Sequence, residues 1–569
     1  MIKPSSMFEA SCFFLFFFAF VVVTADTTAK DEFDQVVNNK VQKLKIRGAS
    51  VAYFDANTMT VPLVRAYGKV SASNTASAVT TDTTFMIASI SKVFTAAAIA
   101  LILEQGYINS LDDDICEVIP AKYKQYNMNM CRHPQYPTTQ VTWRHLMTHR
   151  SSLKNNLPDA KDVRGQKISP SYGPSGGYDP PAVGNPTCPL SNVVDFYHTL
   201  LTNDPTASTE VAADVLVQGN TSLNWYDLSN NGGTGNNGNG MWQNNSKPGS
   251  KNVYSNSAYG YIAALIEFAV TDQSFADFCH EHLFQPLGMD HTAWFRTDLP
   301  TDTREAVPVE YTRNNKQKWK DAGHYCFIDY ASGELRTSAK DISKWAQYFI
   351  QNNNEPTTTT SAQLLWSQSI SQQMHQCQEQ DVNGKLLSTK NCETGYGWML
   401  LNNSMKTKSS TDSWLRQGFK DYDWTDGIWH DGAEIGSQTN LIILPNAGVY
   451  VAVLTNTDLN SEMAAQKLTQ AVVQAPLPAN VTPPNNPTPP ALDPTMAPML
   501  APTVPPIAKP SPNDNNNNND NEEEEEDCPK DNETKFVLEL KTDHYPKYVF
   551  LFNLVPSSFL NAFFFEYHD

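Results

Sequence analysis

Two blocks of strand-like sequence bracket the globular stretch of this chain, and they constrain its fold more than anything between them. "GASVAYFD" (48–55) and "TVPLVRAYGKV" (60–70) carry the alternation of strands, separated by a turn at "ANTM". Far downstream, "TNLIILPNAGVYVAVLTN" (439–456) reads as a β-hairpin with Pro445, Asn446 and Gly448 in its turn. A helix follows in "SEMAAQKLTQAVVQ" (461–474). What lies between is mostly helical patterns and long loops. The two ends are therefore expected to meet in one antiparallel sheet flanked by helices, with a mainly helical region inserted between them. This is an α/β arrangement of the α+β type. Residues 224–249, rich in Asn and Gly, read as a surface loop.

Composition sets the limits of that globular stretch. The first 25 residues read as an export signal, with Lys3 ahead of the apolar run "CFFLFFFAFVVV" and small residues Val23 and Ala25 at a cleavage site. The run is short for a membrane span, so removal rather than anchoring is expected. Residues 31–475 have globular composition, and residues 476–527 change from a proline-rich spacer to an Asn/Glu-rich tract expected to be disordered. Residues 528–569 open with an alternating "KFVLELKTD" and end in a phenylalanine-rich run. This block resembles the start of a short extracellular module, cut short. Its place at the end of a proline-rich spacer suggests extracellular or cell-wall attachment. The formal net charge is -19, and eight of the negative charges sit in Asp514, Asp520, residues 522–526 and Asp527. The rest is mildly acidic, which argues against nucleic acid as a partner, because a phosphate backbone demands a basic surface.

An exported chain meets an oxidising compartment, so disulfides are expected. Cys116 with Cys131 and Cys377 with Cys392 are each placed to close a short local loop, although spacing alone does not fix connectivity. Sequons at Asn220, Asn244, Asn402, Asn480 and Asn532 fit a secretory route.

Chemistry enters with "FMIASISKVFTAAAIALILEQG" (85–106). Ser89 and Lys92 are one helical turn apart, at the start of a strongly helix-forming, apolar run that ends at Gly106. One face of a helix would carry both side chains. Serine is a weak nucleophile without a base, and lysine serves as one where burial or a nearby cation lowers its pKa. The structural alternative is a core helix with a snorkelling lysine. A second Ser-x-x-Lys, Ser151 and Lys154, is followed by "LKNNLPDAKD" and lacks a helix to hold the pair.

Two further segments bear on the choice. In "PGSKNVYSNSAYGYIAALIEFAV", Tyr254 and Asn256 stand two residues apart before an apolar helix. Held near the serine, the phenol can relay a proton and the amide can contact substrate. In "WHDGAEIGSQTNLIILP", His430, Asp431 and Gly432 are placed just before a strand, and Gly432 permits close backbone approach to a substrate. The N–H of Ala433 could pair with that of Ser89 as an oxyanion hole, with His430 adding a substrate-binding donor or titratable group. Each segment alone has a plain reading as a capping residue or an edge-strand turn.

In this order the elements resemble the serine β-lactamase-like family, in particular its group of class C β-lactamases, D-alanyl-D-alanine carboxypeptidases and related esterases. "GYINSLDDDICEVIP", "VTWRHLMTHRSSL", "LFQPLGMDHTAW", "ASGELRTSAKDISKWAQYF" and "YGWML" are similar to further segments of that family. The resemblance implies a β-lactamase/transpeptidase-like fold with the site between its two regions. It implies Ser89 as acyl-enzyme nucleophile, Lys92 as its proton-transfer partner, Tyr254 as relay and Asn256 as a substrate contact. His430 stands where lactamases usually carry lysine, and Ser152 and Glu334 stand where glycine is common. These departures weigh against efficient β-lactam hydrolysis.

The expectation is a secreted serine hydrolase acting on a small-molecule or peptide substrate (an ester, amide or D-amino-acid peptide) without cofactor or metal. The alternative is a binding protein of the same fold that has lost its catalysis. A metal site built on His145 and His149, or on Cys279, His280 and His282, lacks an H-E-x-x-H pattern.

Overall fold

A computed structural model describes residues 31–478 with interruptions, the longest at 169–241, together with two short strands within residues 536–552. Two units divide the chain, Met1–Thr503 and Val504–Asp569. The described part of the second is one antiparallel pair, Phe536–Glu539 with Val549–Phe552. The proline-rich spacer and most of the 224–249 loop lie outside the described residues.

The first unit is built on a six-stranded antiparallel sheet. Its strands are β1 (Gly48–Asp55), β2 (Leu63–Gly68), β3 (Met399–Leu400), β4 (Ile428–Glu434), β5 (Ser437–Leu444) and β6 (Val449–Thr455). They lie in the order β2-β1-β6-β5-β4-β3. The ends of the globular stretch meet at the centre, where Ala49 of β1 stands opposite Thr455 of β6. Every residue of β1, β5 and β6 is buried, so both faces of the sheet must be covered.

Five helices organise the packing: α1 (Glu32–Lys43), α2 (Ser91–Glu104), α3 (Asn256–Val270), α4 (Ala339–Asn354) and α5 (Ala464–Gln474). Side chains alternate across a strand, so Asn440 and Ile443 of β5 point to opposite faces. Asn440 donates to Thr469 of α5 at 2.8 Å. Tyr450, paired with Ile443, meets Ser343 of α4. Helix α5, with α1 beside it, therefore covers one face and α4 the other. Helices α2 and α3 pack on each other in the inserted helical region. From Ser91 to Ile102 every side chain of α2 is buried, so it behaves as a core helix and not a surface one. Gly106, with φ 78°, follows its end.

Both local disulfides form, Cys116–Cys131 and Cys377–Cys392. Cys188, Cys326 and Cys528 lie outside the described residues. The two glycine replacements have different local solutions. Ser152 takes up the left-handed backbone itself, with φ 67°, and bonds to Ser246 Oγ at 3.1 Å. Glu334 is fully buried and pairs with the equally buried Arg336 at 3.1 Å.

Candidate active site

Ser89 sits in a single 3-10 turn, Ala88–Ile90, immediately ahead of α2. The sequence places Ser89 in the first turn of the helix itself. The structure starts the regular helix at Ser91 because Ala88 has φ 49°, a left-handed conformation that an α-helix of L-residues does not continue through. The turn is fastened from two sides. Ile87 N–H donates to Leu335 O at 2.9 Å. The hydroxyls of Ser437 and Thr439 on β5 donate to Met86 O and Ile87 O at 2.6 and 2.7 Å.

Lys92 then falls where the three-residue spacing requires. Its Nζ donates to Ser89 Oγ at 3.0 Å and to Ser332 O at 2.6 Å, and the side chain is fully buried. Tyr254 OH donates to the same Ser89 Oγ at 3.0 Å. The lysine nitrogen lies 5.0 Å from the centre of the Tyr254 ring and 5.7 Å from that of Tyr259. Aromatic faces thus replace part of the water an ammonium loses on burial. The helix is held in register by Thr95, which donates to Ala331 O at 2.6 Å, and by Ser91, which accepts from Leu335 N–H at 3.0 Å.

The loop carrying Tyr254 hangs on His149. Val253 N–H donates to His149 O at 2.8 Å, and Ser255 N–H donates to His149 Nδ1 at 3.1 Å. The His149 and Tyr254 rings lie against each other, tilted by 34°, with centres 4.4 Å apart. Because Nδ1 accepts, the neutral ring carries its proton on Nε2. Burial, then the charges of Lys92 and His430, hold the imidazole well below its usual pKa. Behind it Arg150 pairs with Glu379 at 2.8 Å, within the segment closed by Cys377–Cys392, and donates to Gly249 O at 3.1 Å. His149→Phe keeps the ring contact with Tyr254 but orphans the Ser255 N–H. It is expected to lower kcat about tenfold with little change in secondary structure by circular dichroism, since a misplaced catalytic group costs at least that much. Asn256 opens α3, with its N–H on Asn155 O at 2.7 Å.

His430, Gly432 and Ala433 need a correction. They do not precede a strand; they lie inside β4. His430, Gly432 and Glu434 alternate onto one face, and that face rests on the serine turn. A Cβ built on Gly432 would stand 2.3 Å from Ile87 O and 2.4 Å from Thr439 Oγ1. The close approach that the glycine permits is to the protein's own backbone beside Ser89. It brings Ala433, the next residue, alongside the serine turn, while Asp431 points the other way to Gln466 of α5 at 2.9 Å.

His430 is 2% exposed, and its Nδ1 lies 2.6 Å from Asp431 O. A carbonyl only accepts, so Nδ1 carries the proton and Nε2 keeps a lone pair. Burial, helped by Lys92 and opposed by the Asp431 carbonyl, lowers its pKa to about 3. Two carboxyls share the neighbourhood. Burial raises Asp329 to about 6, against the pull of Lys92. Burial also raises Glu434, opposed by Lys92 and reinforced by Asp329, Asp458 and Glu334.

The other candidates have different occupations. Ser151 accepts from Leu153 N–H at 3.3 Å, and Lys154 contributes its carbonyl to Ser255 at 2.7 Å. His145 closes a capping box with Thr142. Cys279 is a buried thiol. Among the described residues, no group of three or more His, Cys, Asp or Glu side chains is placed to hold a metal ion.

The model of the family described as Beta-lactamase matches residues 33–175 and 240–475, and the chain belongs to that family. Over 133 residues it is 31% identical to Beta-lactamase-like protein 4 of Dictyostelium discoideum, a match spanning 23% of this chain and 22% of that protein. Among solved structures it is similar to an octameric penicillin-binding protein homologue from Pyrococcus abyssi. The identity is 18% and the TM-score 0.49, over 76% of this chain and 75% of that one. A class C beta lactamase from Rhodobacter sphaeroides is 16% identical with a TM-score of 0.48, over 78% and 99% of the two chains.

Proposed function

We propose that the chain is an exported serine hydrolase that acts through an acyl-serine intermediate on an ester, amide or D-amino-acid peptide. The observation that carries this reading is one oxygen with two donors: Ser89 Oγ receives both Lys92 Nζ and Tyr254 OH at 3.0 Å. With one member of the Lys92–Tyr254 pair in its deprotonated form, Ser89 Oγ attacks the carbonyl carbon and its proton passes to that basic group. The carbonyl oxygen becomes an oxyanion, received by the N–H groups of Ser89 and Ala433. Collapse expels the leaving group, which takes the proton back through Tyr254. Water then attacks the acyl-serine, with the same pair accepting and returning its proton, and frees the acid. Asn256 contributes a substrate contact beside Tyr254. The two disulfides support export, with residues 1–25 as signal, 31–475 as catalytic domain, 476–527 as linker and 528–569 as a short terminal segment used for attachment.

A fluorophosphonate probe is the test. It should add covalently to folded wild-type protein at Ser89, located by peptide mass spectrometry, and Ser89→Ala should take up none. An unlabelled wild type, or equal labelling of the variant, sinks the reading in favour of a non-catalytic binding protein.

A further inference from the structure

A buried ion pair stands behind the loop that carries Tyr254. His149 gives that loop two acceptors, its carbonyl to Val253 N–H at 2.8 Å and its Nδ1 to Ser255 N–H at 3.1 Å. It does so from a left-handed backbone, with φ 58°. A residue with a large side chain keeps that conformation only where its surroundings fix it. The next residue, Arg150, is tied by backbone and side chain alike. Its N–H donates to His145 O at 2.7 Å and its carbonyl accepts from Gly249 N–H at 2.8 Å. Its guanidinium donates to Gly249 O from Nη1 at 3.1 Å and to Glu379 Oε2 from Nε at 2.9 Å, with Nη2 2.8 Å from the same oxygen.

Glu379 is as firmly placed. Its other oxygen accepts from Glu393 N–H at 2.9 Å and Thr394 N–H at 3.0 Å, just past the Cys377–Cys392 disulfide. Arg150 is 9% exposed and Glu379 2%. One planar fork therefore joins the His149 turn, the Gly249 segment that runs on to Tyr254, and the disulfide-closed segment. A buried pair of this kind adds little stability over apolar side chains of the same size, so what it supplies here is direction.

Resting on the hydrolase reading above, we propose that Arg150 and Glu379 are positioning residues for the reaction at Ser89. The pair locks His149 in its left-handed turn, and His149 sets the place from which Tyr254 OH reaches Ser89 Oγ. Neither residue touches the reacting atoms. Both act through the two hydrogen bonds from His149 to the Tyr254 loop, and a lysine with its single nitrogen would not span Glu379 and Gly249 O in the same way.

Two variants test this through the rate at which a fluorophosphonate labels Ser89. Arg150→Met combined with Glu379→Gln removes both charges together, and the new amide oxygen can still accept from Glu393 and Thr394 N–H. With no unpaired charge left buried, this paired variant should melt near the wild type. Its labelling rate should fall at least about tenfold, because a displaced proton-transfer group costs at least that much. Arg150→Ala should lose as much, and should regain at least about threefold when guanidinium ion is added below the concentration that shifts its melt, since the ion restores a planar donor fork. Urea, planar but neutral, should restore nothing. A paired variant that labels within tenfold of the wild type overturns the proposal. So does one that fails to fold, because the pair would then be holding the core and not the loop. A folded Arg150→Ala that responds equally to guanidinium and urea, or to neither, also overturns it and leaves Arg150 a packed ion; should Arg150→Ala not fold, the paired variant decides. Absence of any label on wild-type Ser89 instead removes the hydrolase reading beneath it.

Discussion

Lys92→Met is expected to lower kcat/KM about 10³- to 10⁴-fold while the protein stays folded, with a melting temperature equal to or above that of the wild type. The lysine is fully buried and donates to Ser89 Oγ. General acid–base groups contribute about 10² to 10⁴ in rate. Here the same group also keeps Ser89 Oγ in a hydrogen-bonded position, which favours the upper half of that range. Methionine matches the stem of lysine and fills the space between the Tyr254 and Tyr259 rings. Removing a buried charge in favour of an apolar side chain is often neutral or stabilising. One carbonyl loses a partner, Ser332 O, and that cost of about 1–3 kcal/mol is offset by the desolvation no longer required. The fluorophosphonate rate should fall in parallel, because the probe needs the same deprotonated oxygen. Turnover within tenfold of wild type, in a variant with an unchanged melt, would show Lys92 to be a packed residue of a core helix and nothing more.

That outcome bears on how much of the site could be read from sequence. The Ser89–Lys92 spacing was legible because helical geometry converts three residues into one turn on one face, and the apolar run from Val93 onward is the signature of a buried helix. The sheet was legible for a similar reason: alternation in 48–55 and 439–456 specifies strands, and strands at the two ends of one domain have a natural partner in each other. His149 was not legible in its role. Its hold on the Tyr254 loop joins residues that are distant in sequence, through a backbone carbonyl and a ring nitrogen, and no local pattern encodes a long-range acceptor. Asp329 and Glu434 were passed over because a single acidic residue beside a turn or in a strand is ordinary until its neighbours are known. Ser437 and Thr439 carried a faint signal, since two hydroxyls at period two inside an apolar strand face one way and require acceptors when buried. The misplacement of His430–Gly432 ahead of a strand followed from Asp431 and Gly432 themselves, which disfavour strand locally. Tertiary packing overrides that preference: His430 and Gly432 sit buried against the serine turn, and Asp431 finds Gln466.

Gly432→Ala is the second change expected to have a large effect, and its logic separates positioning from chemistry. Glycine has no side chain to donate, accept or titrate, so whatever the substitution does must act through the backbone. The added Cβ would stand 2.3 Å from Ile87 O, 2.4 Å from Thr439 Oγ1 and 3.0 Å from Ala88 Cβ. Two of those atoms belong to the turn that carries Ser89, and the third is the hydroxyl that fastens it. None is the far end of a flexible side chain, so β4 and the serine turn must separate. A displacement of about 1 Å at reacting groups costs on the order of 10²-fold. Both the Ser89 attack line and the proposed pairing of its N–H with that of Ala433 depend on this seam. The fluorophosphonate rate should therefore fall at least about 100-fold, with a stability loss of about 1–3 kcal/mol from overpacking. Gly418→Ala is the matched control: a Cβ there meets only Gln470, at 3.8 and 3.9 Å, which is ordinary contact, and it should label at the wild-type rate. If Gly432→Ala also labels at the wild-type rate with an unchanged melt, β4 is not seated this closely on the serine turn, and Ala433 has no place in the oxyanion hole.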